Sequence, residues 1–407
     1  MLAALERGVK GGQWFSLMDK VYSLRNLDAA FDHVKRNRGS AGVDHQTVEH
    51  FEQFRTHYVG QLHETLKEGR YVPQAVKRTW IPKPGSNEKR PLGIPTVRDR
   101  VAQTALRNVL EPIFERTFAD HSYGFRPGRG CKDALRRVWH LLRDGHPFVV
   151  DADLKSYFDT IPHDRLLARV EEQVSDGRVL ELLHAYLKQD VMDGLERWTP
   201  EQGSPQGAVI SPLLSTIYLN PLDHFMAQHG IEMVRYADDF VLLCRTRQEA
   251  DGAYALVQQW VEANGLTLHP DKTRIVDARE PGGFEFLGYH FERGTHRPRT
   301  KSVQNLRDAI REKTQRTNGQ SLPCIISEIN PVLRGWFEYF KHSRRAPLSK
   351  LDAWVRMRLR SILRKRHHGQ GRGCGHDHFR WPNAYVAAHG LFSLRQARHA
   401  VVQSSKR

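Results

Sequence analysis

Two runs of β-forming residues enclose an adjacent pair of aspartates, and this pattern constrains the fold more than any other in the chain. The stretch Glu232–Cys244 is apolar on both sides of Asp238 and Asp239, which predicts a β-hairpin with the acidic pair at its turn. Two neighbouring carboxylates repel each other unless a cation lies between them or water solvates them. Aspartate is also common in turns for local hydrogen-bonding reasons, so the pair alone favours an ordinary solvated turn over a metal site.

A second acidic stretch favours a bound cation over a solvated turn. Residues 147–159 run from apolar to acidic, and we expect a strand that ends near Asp153, with Asp151 and Asp159 as secondary acids nearby. A strand that ends in carboxylates places them at a sheet edge, where ligands usually bind. Magnesium needs only one or two carboxylates when substrate phosphates supply other ligands. The predicted catalytic metal ligands, which suit nucleotidyl transfer assisted by two ions, are Asp153, Asp238 and Asp239.

The net charge of +16 is unevenly distributed along the 407 residues. Residues 1–300 carry 40 Lys and Arg against 40 Asp and Glu, whereas residues 301–407 carry 22 against 6. Within the neutral part, residues 51–150 are basic (18 against 10) and residues 151–250 are acidic (9 against 17). An acidic middle between basic segments indicates a protein that holds cations centrally and a polyanion on either side.

Cysteine usage and hydropathy indicate a cytoplasmic, soluble protein. The four cysteines are far apart and include no Cys-x-x-Cys pair, so a disulfide framework is not expected. No apolar run approaches 18 residues and no signal peptide is evident at the N-terminus, so we expect no membrane partner.

Other segments predict the elements that surround the acidic sites. Residues 1–75 read as helical, and residues 76–96 as a β-hairpin with a cationic tip, in which Lys83 and Arg90 lie on opposite arms and could converge on one anion. Residues 284–291 alternate as another β segment. From residue 301 the chain reads as helical and basic, with an apolar stripe at helical spacing in residues 348–366.

Several ordered motifs resemble those of the group II intron-encoded reverse transcriptase/maturase family, in its short type without an endonuclease domain. Residues 148–159, 203–214 and 236–239 resemble the family's motifs A, B and C, in that order. Residues 81–100 and 123–129 look like its fingers motifs, and residues 334–340 like its maturase or thumb segment. The resemblance covers about residues 20 to 405. It therefore makes the solvated-turn interpretation of Asp238 and Asp239 a poor one.

The resemblance implies a role for individual residues, each at the position that matches a family motif. It implies metal binding by the three aspartates, with Asp153 and Asp238 as the direct ligands. The flat ring of Phe158 would leave no room for a 2′-hydroxyl, and the guanidinium of Arg90 suits bidentate phosphate contact. Lys272 is a candidate proton donor to pyrophosphate, although a plain surface lysine fits as well. The implied nucleotide-binding residues are Lys83, Arg90, Phe158 and Gln206.

The resemblance implies an α+β right-hand polymerase with a helical thumb. The expected domains are fingers (about 1–145), palm (about 146–300), a helical thumb or maturase domain (301–366) and a basic C-terminal tail (367–407). The implied function is RNA-directed DNA synthesis with two Mg²⁺ ions, or Mn²⁺ in their place, together with binding of intron RNA to assist splicing and retromobility. The partners would be an RNA template, a DNA or RNA primer and deoxynucleoside triphosphates. Two alternatives remain: a domesticated enzyme of phage defence, CRISPR or DNA repair, and an RNA-binding maturase with a vestigial polymerase.

Overall fold

The computed structural model describes residues 13–82, 89–344, 346–373 and 375–404. The chain forms two compact units, Met1–Asp277 and Ala278–Arg407. Among the described helices, none is both long and apolar enough to cross a membrane. Residues 278–298 make their contacts mainly within the second unit. The boundary between palm and thumb that we expect near residue 300 stays a prediction.

The first unit opens with short amphipathic helices packed on one long buried helix. Hydroxyl side chains begin several of them: Ser23 accepts from the Asn26 amide, and Thr96 from the Asp99 amide. Phe31 and Phe51 stack with ring centroids 4.9 Å apart and are fully buried. The predicted helical character of the N-terminal region is confirmed in residues 18–67. The helices are α1 (Met18–Val21), α2 (Leu24–Asn37), α3 (Val48–Gln53), α4 (Arg55–Lys67) and α5 (Val97–Glu115).

The predicted hairpin of residues 76–96 is present and belongs to a four-stranded sheet. Its strands are β1 (Val76–Pro82) and β2 (Lys89–Ile94), which pair antiparallel with Ile81 opposite Arg90. Two short strands, β4 (Val191–Asp193) and β5 (Glu196–Trp198), extend the sheet in the order β2-β1-β4-β5. The tip of the hairpin, including Lys83, lies outside the described residues.

A second four-stranded sheet carries the acidic motifs. It consists of β3 (Phe148–Asp153), β6 (Glu232–Tyr236), β7 (Asp239–Cys244) and β8 (Arg274–Asp277), in the order β6-β7-β3-β8 with antiparallel neighbours. Val149 and Val150 are fully buried in the middle of β3, so apolar burial fixes the strand before its acidic end emerges. The helices of this region are α6 (Cys131–Arg143), α7 (Tyr157–Thr160), α8 (His163–Glu171), α9 (Gly177–Leu187), α10 (Ser211–Gln228) and α11 (Arg247–Ala263).

The second unit begins with a small sheet that corrects one prediction. Residues 284–291 were expected to form one strand, but they form β9 (Phe284–Phe286) and β10 (Tyr289–Glu292), which pair with each other. The chain reverses at Leu287 and Gly288, whose φ angles are +45° and +80°. Alternating apolar residues on both strands conceal this turn, because the tight reversal keeps the same face buried. A third strand, β11 (Thr295–Pro298), completes the sheet.

The rest of the second unit is a helical bundle with its own core. Its long helices are α12 (Thr300–Lys313), α13 (Leu322–Phe340) and α14 (Leu348–Arg366). Phe337 is buried, and the Tyr339 hydroxyl donates to the Leu287 carbonyl at 2.7 Å, so this aromatic segment packs within the unit. The segment expected as a tail contains α15 (Asp377–Arg380), α16 (Asn383–Ala388) and α17 (Leu394–Ser404). Trp381, Val386 and Leu394 from this segment are buried in the core.

Candidate active site

The hairpin turn and the end of β3 bring the predicted aspartates together. Tyr236 pairs with Asp239 across the turn, and Ala237 adopts a left-handed conformation with φ of +60°. On the neighbouring strand Asp153 lies directly opposite Asp239. Asp153, Asp238 and Asp239 therefore occupy one end of two adjacent strands. Asp151 and Asp159 lie elsewhere, the first opposite Val241 within the sheet and the second in α7.

A buried ion pair stabilises the turn between β6 and β7. Arg235 and Asp223 are both fully buried, and the guanidinium contacts both carboxylate oxygens, with Nε donating to Oδ1 at 2.8 Å. Nη1 of the same guanidinium donates to the Ala237 carbonyl at 2.9 Å. Bidentate arginine–carboxylate pairs are geometrically specific, so this contact fixes the orientation of the turn's backbone. The sequence analysis missed both residues. The available signal was a cationic residue inside an otherwise apolar strand.

A neighbouring loop packs directly on the same turn. The Tyr123 amide donates to the Arg235 carbonyl at 2.8 Å, and the Arg235 amide donates to the His121 carbonyl at 3.0 Å. A side-chain Cβ at Gly124 would lie 2.1 Å from the Ala237 nitrogen, so only glycine allows this approach. The loop thus covers the open edge of β6 and holds the turn from the side.

Electrostatics at the turn favour a bound cation. Burial raises the pKa of the Asp238 carboxyl, and the nearby Asp153 carboxylate raises it further, against the opposing effect of Arg90 and Arg235. The Lys272 ammonium lies 2.6 Å from Oδ2 of Asp153, so a protein cation contacts this carboxylate. Lys272 therefore reaches the acidic site, as its predicted role requires.

The donor set fits a hard divalent cation. Carboxylate oxygens are hard ligands, and the Asp153 carboxylate is near enough to Asp238 to raise the pKa of its carboxyl. Throughout the part of the chain that the structure describes, no group of three or more His, Cys, Asp or Glu side chains is arranged to hold a metal ion. Carboxylate pairs of this kind suit a metal that takes its remaining ligands from substrate phosphates and water.

A cavity of about 570 Å³ adjoins the acidic turn and gathers the other predicted residues. Its lining includes Arg90, Phe158, Gln206 and Asp238, which come from four separate segments of the sequence. The Tyr157 hydroxyl donates to the Ser215 carbonyl at 2.7 Å, which anchors α7 and so positions the next residue, Phe158. The volume lies within the usual range of small-ligand sites.

The loop of motif B makes a close backbone contact with β2 that requires glycine. Gly207 has a φ of +106°, and a Cβ there would lie 2.3 Å from the Gly93 carbonyl oxygen. The Gly93 amide donates to the Gln206 carbonyl at 2.6 Å, so the loop is joined to β2 through its backbone. The Gln206 side chain points to Asp159, with Nε2 at 3.3 and 3.4 Å from the two carboxylate oxygens. The close approach that these glycines allow is therefore between segments of the protein itself.

The comparisons with known proteins decide the family. The model described as "Reverse transcriptase (RNA-dependent DNA polymerase)" matches residues 81–291, which is just over half of the chain and includes all three aspartates. The chain belongs to the reverse transcriptase family. The predicted α+β right-hand polymerase fold is thereby confirmed. A second model, "Group II intron, maturase-specific domain", matches residues 303–379. The resemblance of this reverse transcriptase to the group II intron-encoded reverse transcriptase/maturase family is therefore confirmed as well.

Curated proteins similar to this chain include two that are named for introns. Group II intron-encoded protein LtrA of Lactococcus lactis subsp. cremoris is 35% identical over 201 residues, which cover 49% of this chain and 33% of LtrA. Protein YkfC of Escherichia coli is 37% identical over 273 residues, which cover 57% of this chain and 70% of YkfC. The Putative COX1/OXI3 intron 1 protein of Saccharomyces cerevisiae is 24% identical over 405 residues, which cover 84% of this chain and 47% of that protein. The chain thus spans about a third of LtrA.

Proposed function

We propose that the protein is an RNA-directed DNA polymerase that also binds group II intron RNA. The observation that carries the proposal is the convergence of Asp153 and Asp238 beside a cavity that Arg90, Phe158 and Gln206 line. A template-directed polymerase needs a metal-binding carboxylate pair, a cation for the triphosphate and a wall against the sugar. The first unit offers all three within one site.

The proposed cofactor is a pair of Mg²⁺ ions held by Asp153 and Asp238, with Asp239 beside them. When bound, such ions activate the attacking 3′-oxygen and stabilise the leaving pyrophosphate. Lys272 contacts Asp153 directly, so its ammonium is already at the acidic site, where it could donate a proton to the pyrophosphate oxygen.

The cavity residues orient the deoxynucleoside triphosphate. The Arg90 guanidinium binds phosphate oxygens through fixed, paired N–H groups. The Phe158 ring lies edge-on to Phe125, with centroids 6.4 Å apart, and closes the space that a 2′-hydroxyl would need. Lys83 is proposed as a second triphosphate ligand on the basis of its motif alone, since it lies outside the described residues.

The second unit supplies a surface for RNA. In its maturase-specific part, the guanidinium groups of Arg307, Arg311 and Arg358 lie 5.7 to 6.0 Å from the ring centroid of Trp354. Burial lowers the pKa of Arg358, and the neighbouring Arg311 and Arg316 lower it further. Clustered like charges repel one another, and a phosphate backbone relieves that repulsion. We infer that this cluster helps the protein hold intron RNA while the RNA carries out the splicing chemistry.

Primer extension on an RNA template tests the polymerase. Wild-type protein with Mg²⁺ should incorporate deoxynucleotides, and Asp238→Asn should lower the rate by at least about a hundredfold, because the variant removes charge that a metal needs. The control Asp251→Asn changes an exposed aspartate that pairs with Arg247 on α11, and it should retain wild-type incorporation.

The outcomes separate the two proposed activities. Asp238→Asn should bind intron RNA with wild-type affinity in a filter-binding assay, since the arginine cluster is unchanged. Equal incorporation by wild type and Asp238→Asn would refute the polymerase site. RNA binding without incorporation by either protein would leave an RNA-binding maturase with a vestigial polymerase.

A further inference from the structure

The two faces of the β2-β1-β4-β5 sheet carry different side chains. Arg90 lies opposite Ile81 in the β1–β2 pairing and lines the cavity beside the acidic turn. Arg78 and Trp80 alternate with Ile81 along β1, so their side chains leave the opposite face. Trp198 joins that opposite face, because it pairs with Val191, which in turn pairs with Val76. The sheet therefore has a second face, opposite to that of Arg90, which carries one arginine and two tryptophans.

A cavity of about 210 Å³ lies on this second face. Flat groups form much of its wall, including the indole of Trp198, the ring of Phe158 and the prolines Pro91 and Pro205. Phe158 and Gln206 line the polymerase cavity too, so they separate the two spaces. The volume is below the usual range for drug-sized ligands but suits a single flat ring system.

One wall carries a guanidinium whose hydrogen bonding is incomplete. The Arg78 guanidinium carbon lies 5.0 Å from the ring centroid of Trp198 and 5.8 Å from that of Trp80. Its Nε atom is buried and has no hydrogen-bond partner among the residues that the structure describes. The protein therefore does not hold this guanidinium at Nε, and its other N–H donors are available to an acceptor from a ligand.

A carboxylate lines the same cavity. Asp159 accepts two long hydrogen bonds from Nε2 of Gln206, at 3.3 and 3.4 Å. Burial raises its pKa, whereas Gln206 and the positive charge of Arg78 lower it. The cavity therefore offers one cationic donor and one anionic acceptor between flat walls.

We propose that this cavity binds a guanine base. Arginine pairs in bidentate fashion with O6 and N7 of guanine, and a carboxylate accepts from base N–H groups, which guanine carries at N1 and N2. Adenine lacks the O6 acceptor and places its amino group where arginine requires an acceptor. Aromatic side chains stack on any base, so Trp198 contributes affinity while Arg78 and Asp159 contribute the choice of base.

The base comes from a single strand of RNA or from a free guanine nucleotide, and the surroundings favour the strand. Trp80 is 45% exposed outside the cavity, where it provides a second ring for an adjoining base. The site lies beyond the polymerase function proposed above, because neither Asp238 nor Arg90 lines the cavity, which shares only the partition residues Phe158 and Gln206 with the polymerase cavity.

Fluorescence polarisation on the full-length protein tests the proposal. The probes are two labelled oligouridines that carry a single central guanosine or a single central adenosine, measured with EDTA and without deoxynucleotides. Other basic surfaces bind RNA without regard to base, so the ratio of the two affinities isolates the site. Wild-type protein should prefer the guanosine probe by about tenfold, the discrimination typical of a bidentate base contact.

Variants on the two faces of β1 make the result specific. Arg78→Gln and, independently, Asp159→Asn should reduce the preference to near unity. The matched control Lys77→Gln removes one positive charge from the opposite face of the same strand and should keep the wild-type ratio. Competition with GMP identifies the source: displacement at the concentration of the RNA strand assigns a free nucleotide, and displacement only at far higher concentration assigns the strand.

Two results would overturn the guanine site. One is equal affinity of the wild-type protein for both probes. The other is an unchanged ratio in both Arg78→Gln and Asp159→Asn. Primer extension with the same preparations distinguishes failure of this site from failure of the polymerase proposal, because the assay with EDTA requires no polymerisation.

Discussion

Arg235 in the first unit and Arg360 in the second are both deeply buried, and their partners differ. Arg235 in the first unit is 0% exposed and contacts the equally buried carboxylate of Asp223. Arg360 in the second unit is 2% exposed, and it donates to the Trp381 carbonyl at 2.9 Å and to Oδ1 of Asn383 at 2.7 Å. The first arginine forms an ion pair with a carboxylate, and the second donates hydrogen bonds to neutral oxygen acceptors.

The difference follows from what each arginine supports. Arg235 holds a left-handed turn that carries acidic residues, and a rigid bidentate pair keeps that turn in one orientation. Arg360 joins α14 to the segment around α15 and α16, where packing of Trp381 and Val386 already supplies the binding force. Burial and the charge of Arg356 lower the pKa of Arg360, against the opposing effect of the Asp377 carboxylate, whereas the Asp223 carboxylate raises the pKa of Arg235. A buried arginine in a direct ion pair therefore fixes the site, and one that is hydrogen-bonded to neutral oxygens joins segments of the scaffold.

Removing the carboxylate of the first pair should have the largest effect. Asp223→Ala leaves the Arg235 charge buried without a counter-ion, so the free energy of unfolding should fall by about 3–5 kcal/mol. Urea denaturation followed by circular dichroism measures the change. A loss below about 1 kcal/mol would show that water reaches this arginine and would break the contrast between the two units.

Replacing Arg235 with lysine, which keeps the charge but not the paired hydrogen bonds, should have an intermediate effect. Arg235→Lys retains a cation but loses the paired contacts, including the bond to the Ala237 carbonyl, and should cost about 1.5–3 kcal/mol. Since the turn would lose its orientation and the nucleotide cavity would stay intact, kcat of primer extension should fall while KM for the nucleotide stays constant. A rise in KM with constant kcat would contradict the positioning role of Arg235.

Replacing the second arginine should have the smallest effect. Glutamine at position 360 can still donate one hydrogen bond, so Arg360→Gln should cost about 0.5–1.5 kcal/mol. Primer extension under stabilising conditions should be unchanged, because Arg360 belongs to the other unit. If this variant loses as much stability as Asp223→Ala, the charge of Arg360 has a stabilising partner comparable to a carboxylate.

The main elements of the first unit could be predicted because they follow local patterns. Alternating and continuous apolar runs reveal β3, β6 and β7, and the position of Asp153 at a strand end follows from the same burial. The convergence of Arg90, Phe158 and Gln206 could be expected only through motif resemblance, because their contacts join distant segments.

Other features were beyond local patterns. The Arg235–Asp223 pair depends on a strand and a helix meeting at one side chain, and no periodicity reports such a meeting. The turn at Leu287 and Gly288 was hidden because both flanking strands bury the same kinds of residues. The helices within residues 377–404 were overlooked because their apolar residues are few and join a core built largely by earlier helices.

The shared wall between the two cavities has a consequence for redesign of the nucleotide site. Phe158 borders both spaces, so a single aromatic side chain forms part of the partition between them. Truncating it to admit bulkier sugars would also open a passage between the two compartments, and water could then enter the polymerase cavity from behind. A redesign that widens this pocket should therefore add volume on the far side, at Pro205, so that the compartments remain separate.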